Sequence, residues 1–329
     1  MNAPRWLLAA ALCLATEGKA PLFATKADAV QAIAAAAVRA KRENRRVLVE
    51  WGANWCSWCS MLQGLLETDP KVRRTVLYEY EVVRVDIGRF DRNVELAASY
   101  GVDFTRGIGI PYLSILDADG KLVANHDTYT LERKEIGKKG HDPEKVLDVL
   151  ARNQAPYLAA DAVLAAALAS SVADGKRVLV WFAAPGSVEC RKFEAWASSA
   201  EVAGILAKDF APTKIDVERT LGGKELLKGL RKNEKKTLPW FAVLDAQGTP
   251  IATSEPEGGA NVGFPSDPSE IAHVADMIRK AARTITDADV DAVGRSLAEF
   301  HEKPADDGPA PEPAPEPDPD PAPDPEKDG

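Results

Sequence analysis

Apolar and polar positions follow two alternating periods along residues 24–153, and each stretch predicts an element. ATKADAVQAIAAAAVRAKREN, beginning at Ala24, sets apolar residues at helical spacing among strong helix formers, with Thr25 or Asp28 available as a cap. RRVLVEWGA follows as a short apolar run suited to a buried strand. In SMLQGLLE the residues Met61, Leu62, Leu65 and Leu66 share one helical face, so a helix runs on from Cys56. YEVVRVDIGR predicts a second strand, and NVELAASYGV a helix ending at Gly101. IPYLSILDADGKLVANHD predicts two strands around an Asp-Gly turn. DPEKVLDVLARN closes the series as an amphipathic helix with Pro143 in its first turn.

The second half repeats this order letter by letter. RVLVEWGANWCSWCSML aligns with RVLVWFAAPGSVECRKF at an offset of 131, and IPYLSILDADGKLVA with LPWFAVLDAQGTPIA at an offset of 128. Between them VVRVDIGR matches PTKIDVER. Two blocks in one order at nearly one spacing indicate tandem α/β domains, with the boundary in NQAPYLAAD, Asn153 to Asp161. The expected division is 1–20, 21–153, 154–300 and 301–329.

Charge refines the two ends. The formal net charge is −9, and residues 302–329 hold ten acidic residues against two lysines. The rest is close to neutral, without the basic surplus that nucleic-acid binding requires. HEKPADDGPAPEPAPEPDPDPAPDPEKDG, from His301, carries no aliphatic residue larger than alanine, so a disordered, acidic, proline-rich tail is expected, its partner unspecified. At the other end Arg5 precedes the apolar run WLLAAALCLA, too short to span a membrane but suited to an export signal over residues 1–20. Export places the chain in a periplasmic or extracellular setting, where disulfides persist.

The cysteines are Cys13, Cys56, Cys59 and Cys190, too few for a disulfide-stapled scaffold. Cys56 and Cys59 stand two residues apart after a strand and at the start of a helix. Unpaired N–H groups and the helix dipole there stabilise a thiolate at Cys56, and the spacing lets the two sulfurs meet. Cys56 then attacks a substrate disulfide and Cys59 resolves the mixed disulfide. Two other readings stay open, a structural disulfide and half of a metal site. Zinc wants about four ligands, and His126, His141, His273 and His301 are not paired at ligand spacing. DADG at Asp117 to Gly120 reads as a turn in both repeats, and LGGKELLKGLRKNEKK lacks the phosphate-loop pattern.

VLVEWGANWCSWC with the downstream GIPYLSILDADGKLV resembles the thioredoxin superfamily, specifically bacterial exported thioredoxin-like proteins, over roughly Ala24 to Asn153. The resemblance implies two tandem thioredoxin-like folds, each a central mixed sheet flanked by helices. It implies a cis bond before Pro111, facing the cysteines, with Ile110 offering backbone groups to a substrate strand. It also implies a buried acid at Glu50, taking the proton of Cys59 if burial raises its pKa. Ser57 and Trp58 depart from the residues usual between the cysteines, and no cation lies within the motif. Trp55 and Trp58 are expected to shape a substrate surface. The second half resembles a degenerate copy: Ser187 stands for Cys56, Cys190 for Cys59, Trp181 for Glu50, and Pro239 after Leu238 keeps the cis position. Cys190 reads as an inert core thiol or, more sharply, as a docking thiol.

Together these residues indicate a thiol–disulfide oxidoreductase, leaning to a reductase, that acts on protein thiols and disulfides and exchanges electrons with a redox protein. It needs no metal or organic cofactor. The alternative is a non-catalytic binding or scaffold protein.

Overall fold

The computed structural model describes residues 21–135, 137–232 and 237–302, so the expected export signal and the tail beyond 302 lie outside the described residues. The chain divides into two units between Asn153 and Gln154, apart from Leu77–Glu79, which groups with the second. Both units are α/β, as the pattern of elements requires.

The first unit runs α1 (Ala29–Glu43), β1 (Arg46–Gly52), α2 (Ser57–Thr68), α3 (Pro70–Glu79), β2 (Tyr80–Asp86), α4 (Val94–Ser99), β3 (Tyr112–Leu116), β4 (Leu122–Asp127) and α5 (Pro143–Arg152). Asp28, not Thr25, caps α1, its carboxylate accepting the N–H of Gln31 at 3.0 Å. α3 occupies the interval between two predicted elements, started by the Asp69 cap and Pro70. The strands order β2-β1-β3-β4 in one sheet, β1 parallel to β2 and antiparallel to β3. β1 is the central strand and both its faces are covered, which explains its continuous apolar run. Val47, Val49 and Trp51 face the layer with Ala36 and Ala40 of α1, while Leu48 faces Leu62 and Leu66 of α2 and Val146 and Leu150 of α5. Glu50 therefore belongs, by alternation, to the α2 face.

The second unit repeats the plan with α6 (Ala160–Ala173), β5 (Arg177–Ala183), α7 (Val188–Ala197), α8 (Ala200–Leu206), β6 (Phe210–Asp216), α9 (Gly223–Leu230), β7 (Trp240–Leu244), β8 (Pro250–Thr253) and α10 (Pro268–Ala281). Its sheet order, β6-β5-β7-β8, and its register copy the first. A further helix, α11 (Asp287–Glu302), has no counterpart among the described residues of the first unit and buries Val290, Val293 and Leu297 against Val274, Met277 and Ile278 of α10. It continues through Glu302, so residues 301 and 302 close a helix. Asp117 and Asp245 each make the expected turn, the first accepting from the N–H groups of Asp119 and Lys121, the second from those of Gln247 and Thr249.

Candidate active site

Cys56 is the N-cap of α2, with extended backbone, and its Sγ takes the N–H of Cys59 at 3.0 Å. That N–H is one of the helix's orphan donors, so a thiolate at Cys56 meets both a hydrogen bond and the positive end of the helix. The two sulfurs form a disulfide, with Cα atoms 5.3 Å apart. Cys56 is 5% exposed and Cys59 is fully buried, which leaves Cys56 as the sulfur a substrate can reach.

The approach is built by neighbouring loops. The Ile110–Pro111 peptide bond is cis, and Cys56 Sγ lies 3.6 Å from the Ile110 carbonyl oxygen, so this loop faces the pair. The Thr128 hydroxyl donates to the Pro111 carbonyl from the segment after β4. Of the tryptophans, Trp51 is core, its indole N–H bonded to Ser114 Oγ at 2.9 Å. Trp55 is 51% exposed, anchored by its N–H to the Gly88 carbonyl at 2.7 Å and packed on Phe90, itself 41% exposed. Trp58 is half-buried, with the His141 ring edge-on at 5.6 Å. Burial pushes His141 down to about 4, so that ring is neutral at ordinary pH.

Beneath the cysteines, Gly52 is required by close approach. A Cβ there would stand 2.9 Å from Cys59 Sγ and 2.4 Å from Phe23 Cζ. Phe23 is held over the pair by reciprocal bonds with Asn54, each 2.9 Å. Glu50 lies two residues before Gly52 on the same strand face, roughly 7 Å along β1. It is fully buried, and burial raises its pKa to about 7, against the pull of Arg84. Arg84 is its register partner on β2, with Nε 3.4 Å from Glu50 Oε2.

Sequence reasoning missed Phe23, Asn54, Gly52, Arg84, Thr128 and His141. Gly52 had a signal, a glycine interrupting an apolar strand. Arg84 had one too, as a lone cation within a strand. The others act through contacts remote in sequence.

In the second unit the frame persists without the pair. Ser187 is the N-cap of α7, and its Oγ accepts the N–H of Cys190 at 3.2 Å, reproducing the Cys56 contact. The Leu238–Pro239 bond is cis. Cys190 is 1% exposed and burial pushes its thiol up, which favours the inert core reading over a docking thiol.

A sequence profile of the family described as thioredoxin-like matches residues 28–118 and again 159–246. No curated protein matches the chain. Among solved structures, a disulphide isomerase from Xylella fastidiosa is 29% identical, covering 40% of this chain and 95% of its own, with a TM-score of 0.34. The C-terminal domain of Neisseria meningitidis DsbD in its oxidised form is 17% identical over 40% of this chain and 100% of its own, TM-score 0.30. A thioredoxin from Thermus thermophilus is 20% identical over 36% of this chain and 80% of its own, TM-score 0.26.

Proposed function

The chain belongs to the thioredoxin-like family, with one matched segment in each unit, and on that premise we propose that this thiol–disulfide oxidoreductase works as a reductase of protein disulfides through Cys56 and Cys59. The observation that carries the reading is the buried pair at the start of α2 with the Ile110 carbonyl against Cys56 and the buried carboxyl of Glu50 on the strand below.

The Cys56 thiolate attacks one sulfur of a substrate disulfide. A Cys56–substrate bond forms as the substrate S–S bond breaks, and the departing sulfur takes a proton from solvent. Cys59 then gives its proton to the Glu50 carboxylate and attacks Cys56 Sγ. The Cys56–substrate bond breaks, the second substrate sulfur leaves with the electron pair and takes a proton from solvent, and Glu50 later yields its own to solvent. The substrate gains two electrons and two protons, and the pair becomes the disulfide described above. A redox protein must then reduce it again.

The motif supports the reducing direction. It adds no cation to the helix N-terminus, so the dithiol form is stabilised by that terminus alone, which weights the couple toward its disulfide and makes the dithiol a good donor. Trp55, Trp58 and the Ile110–Pro111 loop receive the substrate chain. The second unit, lacking Cys56 and Glu50 equivalents, serves as a non-catalytic recognition module. The apolar run after Arg5 supports an exported location.

Equilibration of the full chain with glutathione buffers tests the direction. A reductase gives a potential near the about −270 mV of thioredoxin, whereas a value near the about −120 mV of strong oxidants reverses the assignment.

A further inference from the structure

Gln63 sits on α2 four residues after Cys59, is 8% exposed, and takes no part in the exchange just described. Both ends of its amide are engaged. Its Oε1 accepts from Arg84 Nη2, and its Nε2 donates to the exposed Glu67. An amide meets a guanidinium donor and a carboxylate acceptor together in one of its two flip orientations only, so each contact fixes the other.

Arg84 is therefore held from two sides, by the α2 amide and by Glu50 on β1. An arginine beside a carboxylate ordinarily closes a two-pronged hydrogen bond with it. Here Nε stays 3.4 Å from Glu50 Oε2, and neither Glu50 oxygen has a hydrogen-bond partner among the described residues.

We propose that Gln63 is a positioning residue for disulfide exchange: by drawing the Arg84 guanidinium toward α2, it withholds a full ion pair from Glu50 and keeps that carboxyl available to the Cys59 proton. This rests on the reading of Glu50 as the proton acceptor.

The second unit shows, without the acid, that a cation at this strand position reaches the helix. Lys214 holds the Arg84 register position, paired across the sheet with Trp181, and Glu194 holds the Gln63 position on α7. There the cation reaches the helix outright, Lys214 Nζ lying 2.7 Å from Glu194 Oε1. A cation on this strand is thus within range of the helix side chain in both units.

The surroundings of Glu50 leave few competing charges. From β2 comes Arg84, from β3 the apolar register partner Leu113, from α5 Val146 and Leu150, and from α2 Cys59, here in its disulfide, with Gln63 and then Glu67 beyond. Arg84 is the one charge acting on Glu50 among the described residues.

The test follows the Glu50 carboxyl by carbon-13 NMR titration in the oxidised full chain. Gln63→Met frees Arg84 to close on Glu50 and lowers the titration midpoint by roughly one pH unit. Gln63→Glu engages Arg84 as Glu194 engages Lys214 and raises it by roughly the same amount. Opposite movements support the clamp. Movement in one direction for both variants, or in neither, overturns it, as does a Gln63→Met shift that survives in an Arg84→Gln background. A packing role alone would lower Tm without separating the midpoints. Because this titration needs no turnover, it is independent of the catalytic reading. Midpoints that move oppositely while the pH dependence of turnover stays fixed would retire Glu50 as the proton acceptor and leave the clamp standing.

Discussion

The two units share one frame and differ at the positions to which the proposed mechanism assigns chemistry. Each has a polar N-cap taking the N–H three residues on, a cis proline and the same strand register. Within that frame Cys56 becomes Ser187, Glu50 becomes Trp181, Gly52 becomes Ala183 and Gln63 becomes Glu194. The helix start needs a capping acceptor, and the serine oxygen and the cysteine sulfur both supply one. Attack on sulfur needs the thiolate, because a serine hydroxyl stays protonated at ordinary pH. The frame thus serves folding in both units, and in the proposed mechanism only the changes at Cys56 and Glu50 each remove a chemical step.

The largest effect should come from Cys56→Ser, which makes the first unit resemble the second at its attacking atom. Turnover of a protein disulfide falls at least about a thousandfold, measured as substrate thiols released with a chemical reductant as donor. Adding Ser187→Cys to that variant sharpens the contrast. The N-cap geometry already exists there, so a disulfide with Cys190 forms, detectable by mass after alkylation, while exchange stays slow with Trp181 in place of the acid. Full turnover from that double variant would show that the buried carboxyl is dispensable.

Glu50→Gln comes next. With Glu50 as the proton acceptor, resolution by Cys59 should rise in the wild type as pH climbs through about 7, where Glu50 becomes a carboxylate. The variant should lose that rise and run roughly ten- to a hundredfold slower above it. Stability moves with the opposite sign. The folded-state pKa is raised, so the folded chain holds a proton that the unfolded chain releases, and stability is fullest below the unfolded value of 4.5 and declines until pH passes about 7. The loss is on the order of 3 kcal/mol, and denaturation of Glu50→Gln across that window should show none of it.

Much of this contrast was legible in the chain itself. Helical spacing and apolar runs place α1, β1, α2 and the β3–β4 pair, and the repeated blocks align Ser187 with Cys56 before any geometry is known. Local pattern carries such elements because propensity and burial agree in them. Contacts between distant segments were not legible. Phe23 and Asn54 are 31 residues apart, Trp58 and His141 meet through packing, and Gln63 reads as one more polar helix position until Arg84 is seen beside it. α3 escaped because its short, charged sequence shows no clear period, and its Asp69-Pro70 start is the one strong signal.

Gly52 and Ala183 give a smaller effect with a direct comparison. Gly52→Ala drives a Cβ into Phe23 and Cys59, and should lower stability by about 1–3 kcal/mol with some loss of reducibility of the pair. Ala183→Gly, at the same strand position, costs about 1 kcal/mol through backbone freedom and a lost buried methyl, and leaves turnover unchanged. Equal costs and equal kinetics in both would mean that the strand, and not the disulfide above it, sets the requirement.

The smallest effect concerns the surface. The large exposed aromatic residues among those described, Trp55, Phe90 and Tyr129, all lie in the first unit, whereas the second exposes Leu158, Val172 and Leu221 instead. Trp55 directly precedes Cys56, Phe90 packs edge-on against Trp55, and Tyr129 follows the threonine that binds the Pro111 carbonyl. An aromatic contact with a substrate chain is worth about 0.5–1.5 kcal/mol, so Phe90→Ala should raise KM for a protein disulfide by roughly two- to tenfold with kcat held. A small disulfide such as hydroxyethyl disulfide presents no chain to that surface, and its KM should not change. If both substrates lose equally, Phe90 is holding the Trp55 side of the cysteine loop in place, and the contrast between the units lies in the sulfur and the carboxyl alone. A loss confined to the protein substrate would give the first unit an aromatic recognition surface of its own beside the cysteines, separate from whatever the second unit binds.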